Sequence, residues 1–152
     1  MKISADLSEF IGLLNSHKVE FILVGAHALA WHGLPRYTKD IDFLVNPESE
    51  NSQRLMRALE AFGFGSTGLT AADFQTPDQI IQLGREPNRI DLLTGISGVD
   101  WTEAWSSKEE GHLGELPVFV LGRAAYLKNK RASGRPQDIA DASRLSEMYG
   151  EG

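Results

Sequence analysis

The chain contains no cysteine, which removes disulfide staples, thiolate zinc sites and thiol nucleophiles from consideration. No run of apolar residues approaches the roughly twenty needed to cross a bilayer. The opening Met1-Lys-Ile-Ser-Ala-Asp-Leu-Ser-Glu9 lacks the apolar stretch of a secretory leader. A cytoplasmic protein with no membrane partner is the expectation. His17, His27, His32 and His112 show no zinc-type spacing with an acidic partner. Cations are in deficit: 15 Lys and Arg stand against 21 Asp and Glu, a net charge of −6. An extended nucleic-acid surface, which would need a basic face, is therefore not expected. A single nucleotide is still permitted, because a local cation cluster with a metal can hold phosphate within an acidic protein. Internal repeats and low-complexity tracts are also missing.

What remains is an ordinary globular composition. With 152 residues, 41% hydrophobic and 24% charged, the chain is long enough for one domain over 1–152 with a substantial core. Asp6-Leu-Ser-Glu9 has the spacing of a capping box, and Leu7, Phe10, Ile11, Leu13 and Leu14 follow at helical intervals, so a helix is expected over roughly 6–17. Glu20-Phe-Ile-Leu-Val24 reads as a buried strand running into Gly25. A short helix over 26–32 ends at Gly33 and Pro35. A second strand covers 40–45, and Leu55, Met56, Leu59 and Phe62 mark an amphipathic helix over 49–62 that stops at Gly63. Residues 65–78 read as a loop. Strands over 79–83 and 89–93 flank Gly84 to Asn88 as a hairpin. A loop carrying Trp101 and Trp105 leads to a strand over 116–120, then to helices near 122–131 and 136–148, with Pro136 in the first turn of the latter. This order predicts an α+β fold: a small mixed β-sheet with helices packed mainly on one face and the helices over 122–148 packed on the domain.

The chemistry concentrates in Asp40-Ile-Asp-Phe-Leu-Val45. Side chains alternate along a strand, so Asp40 and Asp42 share one face while Ile41 and Phe43 take the other. Two like charges so close repel, and Asp is a poor strand former. A divalent cation relieves the repulsion, and oxygen-only ligands favour a hard ion such as Mg²⁺. Asp91 lies in a similar context, Arg89-Ile-Asp-Leu-Leu93. The alternative for the pair is a solvated edge-strand face; for Asp91 it is a surface ion pair with Arg89. Upstream, strand 20–24, Gly25 and the following helix form a turn at which a phosphate can approach backbone N–H groups.

Taken together, Val24-Gly-Ala-His-Ala-Leu-Ala-Trp-His-Gly-Leu-Pro-Arg-Tyr-Thr-Lys-Asp-Ile-Asp-Phe-Leu-Val45 resembles the signature of the polymerase-β-like nucleotidyltransferase superfamily. It is most similar to its minimal bacterial members, which include toxin–antitoxin, abortive-infection and aminoglycoside nucleotidyltransferases. The matching residues are Gly25, Ala26, Arg36, Thr38, Asp40 and Asp42, and Asp91 fits the third carboxylate. Lys130-Arg-Ala-Ser-Gly-Arg-Pro-Gln-Asp-Ile-Ala-Asp141 resembles a Lys…Gly-Arg-Pro-x-Asp…Asp segment of the same proteins. The resemblance spans about 20–145.

It implies transfer of a nucleoside monophosphate from an NTP to an acceptor that is a small molecule, a protein or an RNA. Two Mg²⁺ ions, or Mn²⁺, about 3.5–4 Å apart would be held by Asp40, Asp42 and Asp91, with Asp91 also serving as general base. Gly25, Ala26, Arg36, Thr38, Lys39, Lys130 and Arg135 are the implied nucleotide contacts. Asp138 would orient Lys130 or Arg135.

Each has a plainer alternative. Arg36 could pair with Asp40 or a surface acid, and Thr38 could only order its loop. Lys128, Lys130 and Arg131 could form a solvated helix face, and Gly134-Arg135-Pro136 a simple connection. His27 and His32 read as core or interface residues, and Trp31, Tyr37, Trp101 and Trp105 mostly as packing. The chain departs from many active members at Ala26, where they carry Ser. Losing that hydroxyl's bond to a charged phosphate costs on the order of 1.5–3 kcal/mol. A second reading follows: a catalytically weak or inactive partner protein in a toxin–antitoxin system. A phosphoesterase using the same acids ranks below both, for want of His ligands.

Overall fold

The structure, a computed structural model, describes residues 4–35, 37–65, 67–84 and 89–150. Helix α1 (Ala5–Ser16) leads into β1 (Phe21–Val24) and α2 (Gly25–Trp31), then β2 (Asp40–Val45) and α3 (Ser49–Phe62). Strands β3 (Ile80–Leu83) and β4 (Arg89–Leu93) precede α4 (Trp101–Ser107), β5 (Glu109–Leu113) and β6 (Leu116–Val120). The described chain closes with α5 (Arg123–Ser133) and α6 (Pro136–Met148). None of the described helices is long and apolar enough to cross a membrane.

The six strands form one mixed sheet in the order β3-β4-β2-β1-β6-β5. The β2–β4 and β1–β6 pairs are parallel and the remaining pairs antiparallel. Register decides which side chains share a face. Asp42 sits opposite Asp91, Asp40 opposite Arg89, and Phe43 opposite Leu92. Ile41, Phe43, Ile90 and Leu92 thus point together into the core, where all are buried and Phe43 and Leu92 fully so. The carboxylates take the other face of the same two strands. Helices α1 and α3 pack on each other, with Phe10, Ile11, Leu14, Leu55 and Leu59 fully buried between them and the sheet. Helices α5 and α6 pair and add Tyr126, Leu127, Ala142 and Leu145 to the same hydrophobic cluster.

The expected elements form, with four local differences. The cap of α1 is Ser4, whose hydroxyl accepts from the Leu7 N–H at 3.1 Å, two residues before the expected Asp6. The loop over 65–78 contains a 3₁₀ turn, Ala71–Phe74, closed by a Thr70–Asp73 capping box that drives Phe74 into the core. The stretch carrying Trp101 and Trp105 is not a loop. It is α4, capped by Asp100, which accepts from the Glu103 N–H at 2.8 Å. Its two Trp rings stack at 5.2 Å, and Trp105 packs edge-on to Phe119, so both serve packing as expected. Strand β5 is an element the sequence pattern did not announce. Its Glu109-Glu-Gly-His-Leu113 is a poor strand former held by pairing with β6 across a turn in which Gly114 has φ 59°. Of the expected connection Gly84 to Asn88, residues 85–88 lie outside the described residues.

Leu92 stands on the core face of β4, directly behind the carboxylates. Its truncation (Leu92→Ala) is expected to cost about 2–5 kcal/mol in urea unfolding.

Candidate metal and nucleotide site

Asp40, Asp42 and Asp91 each offer a carboxylate oxygen, and the three atoms lie within 4.8 Å of one another. The cluster follows from the parallel β2–β4 register, because partners in that register face the same way. It is not a solvated edge: Asp91 is buried and the other two are half-buried. Gly25, in the left-handed region at φ 70°, completes the arrangement. A Cβ there would overlap the Asp42 carboxylate, so the strand–helix turn can approach the acids only as glycine. Helix α2 begins at Gly25 with no side chain capping its first turn, leaving early N–H groups on the site side of the turn.

Arg89 reaches across from the head of β4. Its guanidinium donates to Asp40 Oδ2 at 2.5 Å and to Asp91 Oδ2 at 3.4 Å, and its Nε lies 3.1 Å from Asp91 Oδ1. That last approach is close but misaligned, since neither the Arg89 Nε nor the Asp91 Oδ1 makes a hydrogen bond although both are buried. Thr38 donates from its hydroxyl to Asp40 Oδ1 at 2.9 Å.

A buried oxygen without a donor, three carboxylates converging and an oxygen-only ligand set together suit a hard divalent cation. Burial, then the neighbouring Asp40 and Asp91, then a hydrogen bond with Asp91, push the Asp42 carboxyl from its ordinary 3.8 up to about 7, against a smaller opposing pull from Lys130. Burial also lowers His27, and the charge of Asp40 opposes that shift.

Opposite the acids stands a second wall. A cleft of about 610 Å³ is lined by Gly25, Asp42 and Asp91 on the sheet side and by Asn129, Lys130, Ser133, Arg135 and Asp138 on the α5–α6 corner, with the 95–98 loop and Asp78 between them. Lys130 is mostly buried, and its Nζ lies 3.8 Å from Asp138 Oδ1. Arg135, largely exposed, lies 3.9 Å from Asp138 Oδ2. Asp138 is thus ion-paired with both cations, and the Ser133 hydroxyl donates a hydrogen bond to it at 2.8 Å.

Of the sequence-predicted contacts, Gly25, Asp42, Asp91, Lys130 and Arg135 line the cleft, with Asp40 adjoining it through the acid cluster. Ala26, Thr38 and Lys39 are not on its wall; Thr38 acts instead through its hydrogen bond to Asp40. Arg36 lies outside the described residues. The solvated-face alternative holds for Lys128, which pairs with Glu103 at 2.8 Å, but not for Lys130. His32 is a core residue, buried and hydrogen-bonded to the Leu121 carbonyl at 2.8 Å.

Asn129 and Ser133 were missed. Asn129 donates to the Ser97 carbonyl at 2.9 Å and ties the 95–98 loop to α5. Their signal was present as helical spacing: Tyr126, Asn129, Lys130 and Ser133 form one i, i+3, i+4, i+7 stripe.

The family model for the nucleotidyl transferase AbiEii toxin of type IV toxin–antitoxin systems matches residues 13–99, the segment that carries Gly25 and all three acids. The chain belongs to this AbiEii family. Two solved structures share its fold. A proposed nucleotidyltransferase of Thermotoga maritima aligns with a TM-score of 0.55 and 13% identity, over 95% of this chain and 90% of that one. ANT(2″)-Ia, solved in complex with adenylyl-2″-tobramycin, aligns with a TM-score of 0.54 and 15% identity, over 92% of this chain and 84% of its own. No curated protein sequence matches the chain significantly. The mixed sheet with its helices is thus a nucleotidyltransferase fold.

The raised Asp42 value sets a sign for stability. The folded state binds a proton that the unfolded state has released between about pH 4 and 7, so this group's contribution is present below that window and lost as pH rises through it. In chelator, the unfolding midpoint is expected to fall between pH 5 and 8. Asp42→Asn should flatten that fall and raise the midpoint at pH 8 by roughly 2–4 °C, as about 1 kcal/mol does in a chain of this size. Scanning calorimetry in EDTA checks both. An unchanged slope in the variant would show that Asp42 carries no such proton.

Proposed function

We propose that this AbiEii-family protein is a Mg²⁺-dependent nucleotidyltransferase that moves a nucleoside monophosphate from an NTP to an acceptor hydroxyl or amine and releases pyrophosphate. The observation that carries the reading is the meeting of Asp42 and Asp91 with Lys130 and Arg135 across one cleft. Acids alone would suit a cation store; acids facing cations suit a metal-bound polyphosphate.

Asp40, Asp42 and Asp91 would hold the divalent ion, Mg²⁺ or Mn²⁺. When bound, it would neutralise charge on the triphosphate and on the attacking oxygen. Asp91 takes the acceptor proton as the acceptor oxygen or nitrogen bonds to the α-phosphorus. The bond from that phosphorus to the pyrophosphate oxygen breaks in the same in-line displacement. Lys130, whose charge already reaches Asp42, and Arg135 meet the departing phosphates. Gly25 keeps the backbone close enough for the first N–H groups of α2 to contribute. Arg36 and Lys39, just before the acids in sequence, are further candidates for the triphosphate. The adenylyl-2″-tobramycin bound to a protein of the same fold supports a small-molecule hydroxyl as one acceptor class. The family's toxin–antitoxin description supports a protein partner.

Isothermal titration with each NTP tests the reading. Binding should need Mg²⁺ and vanish in Asp40→Ala/Asp42→Ala; metal-independent or unaltered binding would count against it. α-Labelled NTP with lysate then shows what acquires label. Lys130→Ala is expected to weaken NTP binding roughly 10- to 100-fold, the loss of one or two charge-assisted hydrogen bonds, with its circular dichroism unchanged. A second reading rests on Ala26, which brings no hydroxyl to a phosphate: the chain as a weakly active member of a toxin–antitoxin pair. NTP binding without label transfer, together with a co-purifying partner, would favour it.

A further inference from the structure

The reaction proposed above assigns no task to Arg89, yet this side chain is the most committed group at the acid cluster. It comes from the same strand as Asp91, two residues earlier, and stands opposite Asp40 in the β2–β4 register. Its guanidinium donates to Asp40 Oδ2 at 2.5 Å and to Asp91 Oδ2 at 3.4 Å, with Nε 3.1 Å from Asp91 Oδ1. It is about three-quarters buried, with 26% of its side chain exposed. Thr38 donates to the other Asp40 oxygen. Both oxygens of Asp40 therefore already accept a hydrogen bond, whereas the Asp91 Oδ1 makes none.

We propose that Arg89 is a resident counter-cation of the acid cluster, occupying space and charge that a second divalent ion would need, so that the protein without nucleotide holds one divalent ion. Charge supports this count. With a cation bound the three carboxylates ionise, and one divalent ion with one guanidinium balances their three negative charges. A second ion held without a triphosphate would leave two uncompensated positive charges in a half-buried site, where such an excess is costly. Geometry agrees. The guanidinium lies against Asp40 and Asp91 and would have to yield there to a further cation, whereas Asp42 makes no hydrogen bond or ion pair with it and stays available to the first. Arg89 is thus a positioning residue: it aligns Asp40 with Asp91 and sets how many ions the cluster takes up.

The inference rests on the cluster being a metal site, and the test separates the two. Mn²⁺ binding to the purified full chain, without nucleotide, is counted by electron paramagnetic resonance. Wild type should bind one Mn²⁺ per chain. Arg89→Gln, which removes the charge, should bind two, or bind the first at least tenfold more tightly. Arg89→Lys keeps the charge and should stay at one, which a purely structural role would not require. Two ions on the wild type, or Arg89→Gln indistinguishable from it, would overturn the assignment of Arg89 and leave the metal site standing. No Mn²⁺ on the wild type, or uptake unchanged in Asp42→Asn, would overturn both. If Arg89→Gln does not fold, Arg89→Lys and the wild-type count still decide: two ions on either ends the proposal.

Discussion

Electrostatic repulsion among three carboxylates held within 4.8 Å is the constraint around which this molecule is arranged. Left alone, such a cluster would push β2 and β4 apart or take up protons. Several features oppose that. The core face of the same strands is locked by Ile41, Phe43, Ile90 and Leu92, so the strands cannot separate without exposing their best-packed side chains. Arg89 and Thr38 donate to Asp40. Asp42 keeps affinity for a proton well above the usual carboxylate range. The register is what allows all of this: it sets Asp40 beside Arg89 and Asp42 beside Asp91, so that Asp-x-Asp and Arg-x-Asp interlock on one face.

The opposite wall solves a complementary problem. Lys130 and Arg135 would be drawn onto the acids if nothing held them. Asp138 stands within 4 Å of both and gives each a local partner, so the cleft stays open between a negative and a positive side. The two walls come from distant parts of the chain. The family match ends at residue 99 and covers the acids, while the cations come from the α5–α6 corner beyond it. The likeness of fold extends over nearly the whole chain. The cleft is therefore a property of the folded chain rather than of either half. Its stability is lowered by the same crowding that suits it to a cation, as is common where function needs unfavourable neighbours.

Much of this is legible in the sequence alone. The period-two pattern of residues 40–45 announced which face Asp40 and Asp42 share, and the apolar flanks announced a strand. Gly63 and Pro136 ended and began helices where their backbone preferences demand. The misses have physical causes. Helix α4 has only seven residues and too little periodicity to stand out, although its Asp100 cap with Glu103 was readable. Strand β5 has almost no intrinsic preference for its conformation and exists because β6 pairs with it. The α1 cap lay two residues early because Ser and Asp cap equally well and local sequence does not choose between them.

The residues themselves settled the chemistry available: oxygen ligands without thiols, two acids fixed on one face by the pleat of a strand, and a glycine where backbone must come close. These are local matters, governed by bonds, dihedrals and neighbours a few positions away. Folding settled the pairings that no local rule contains. It matched Asp42 with Asp91 and Arg89 with Asp40 across 49 positions each, buried most of Lys130 while leaving Lys128 in solvent, and placed Asp138 beside two cations. Such choices depend on sheet register and helix packing, which are set by the burial of the whole core at once, and so they become visible only when the chain is closed upon itself.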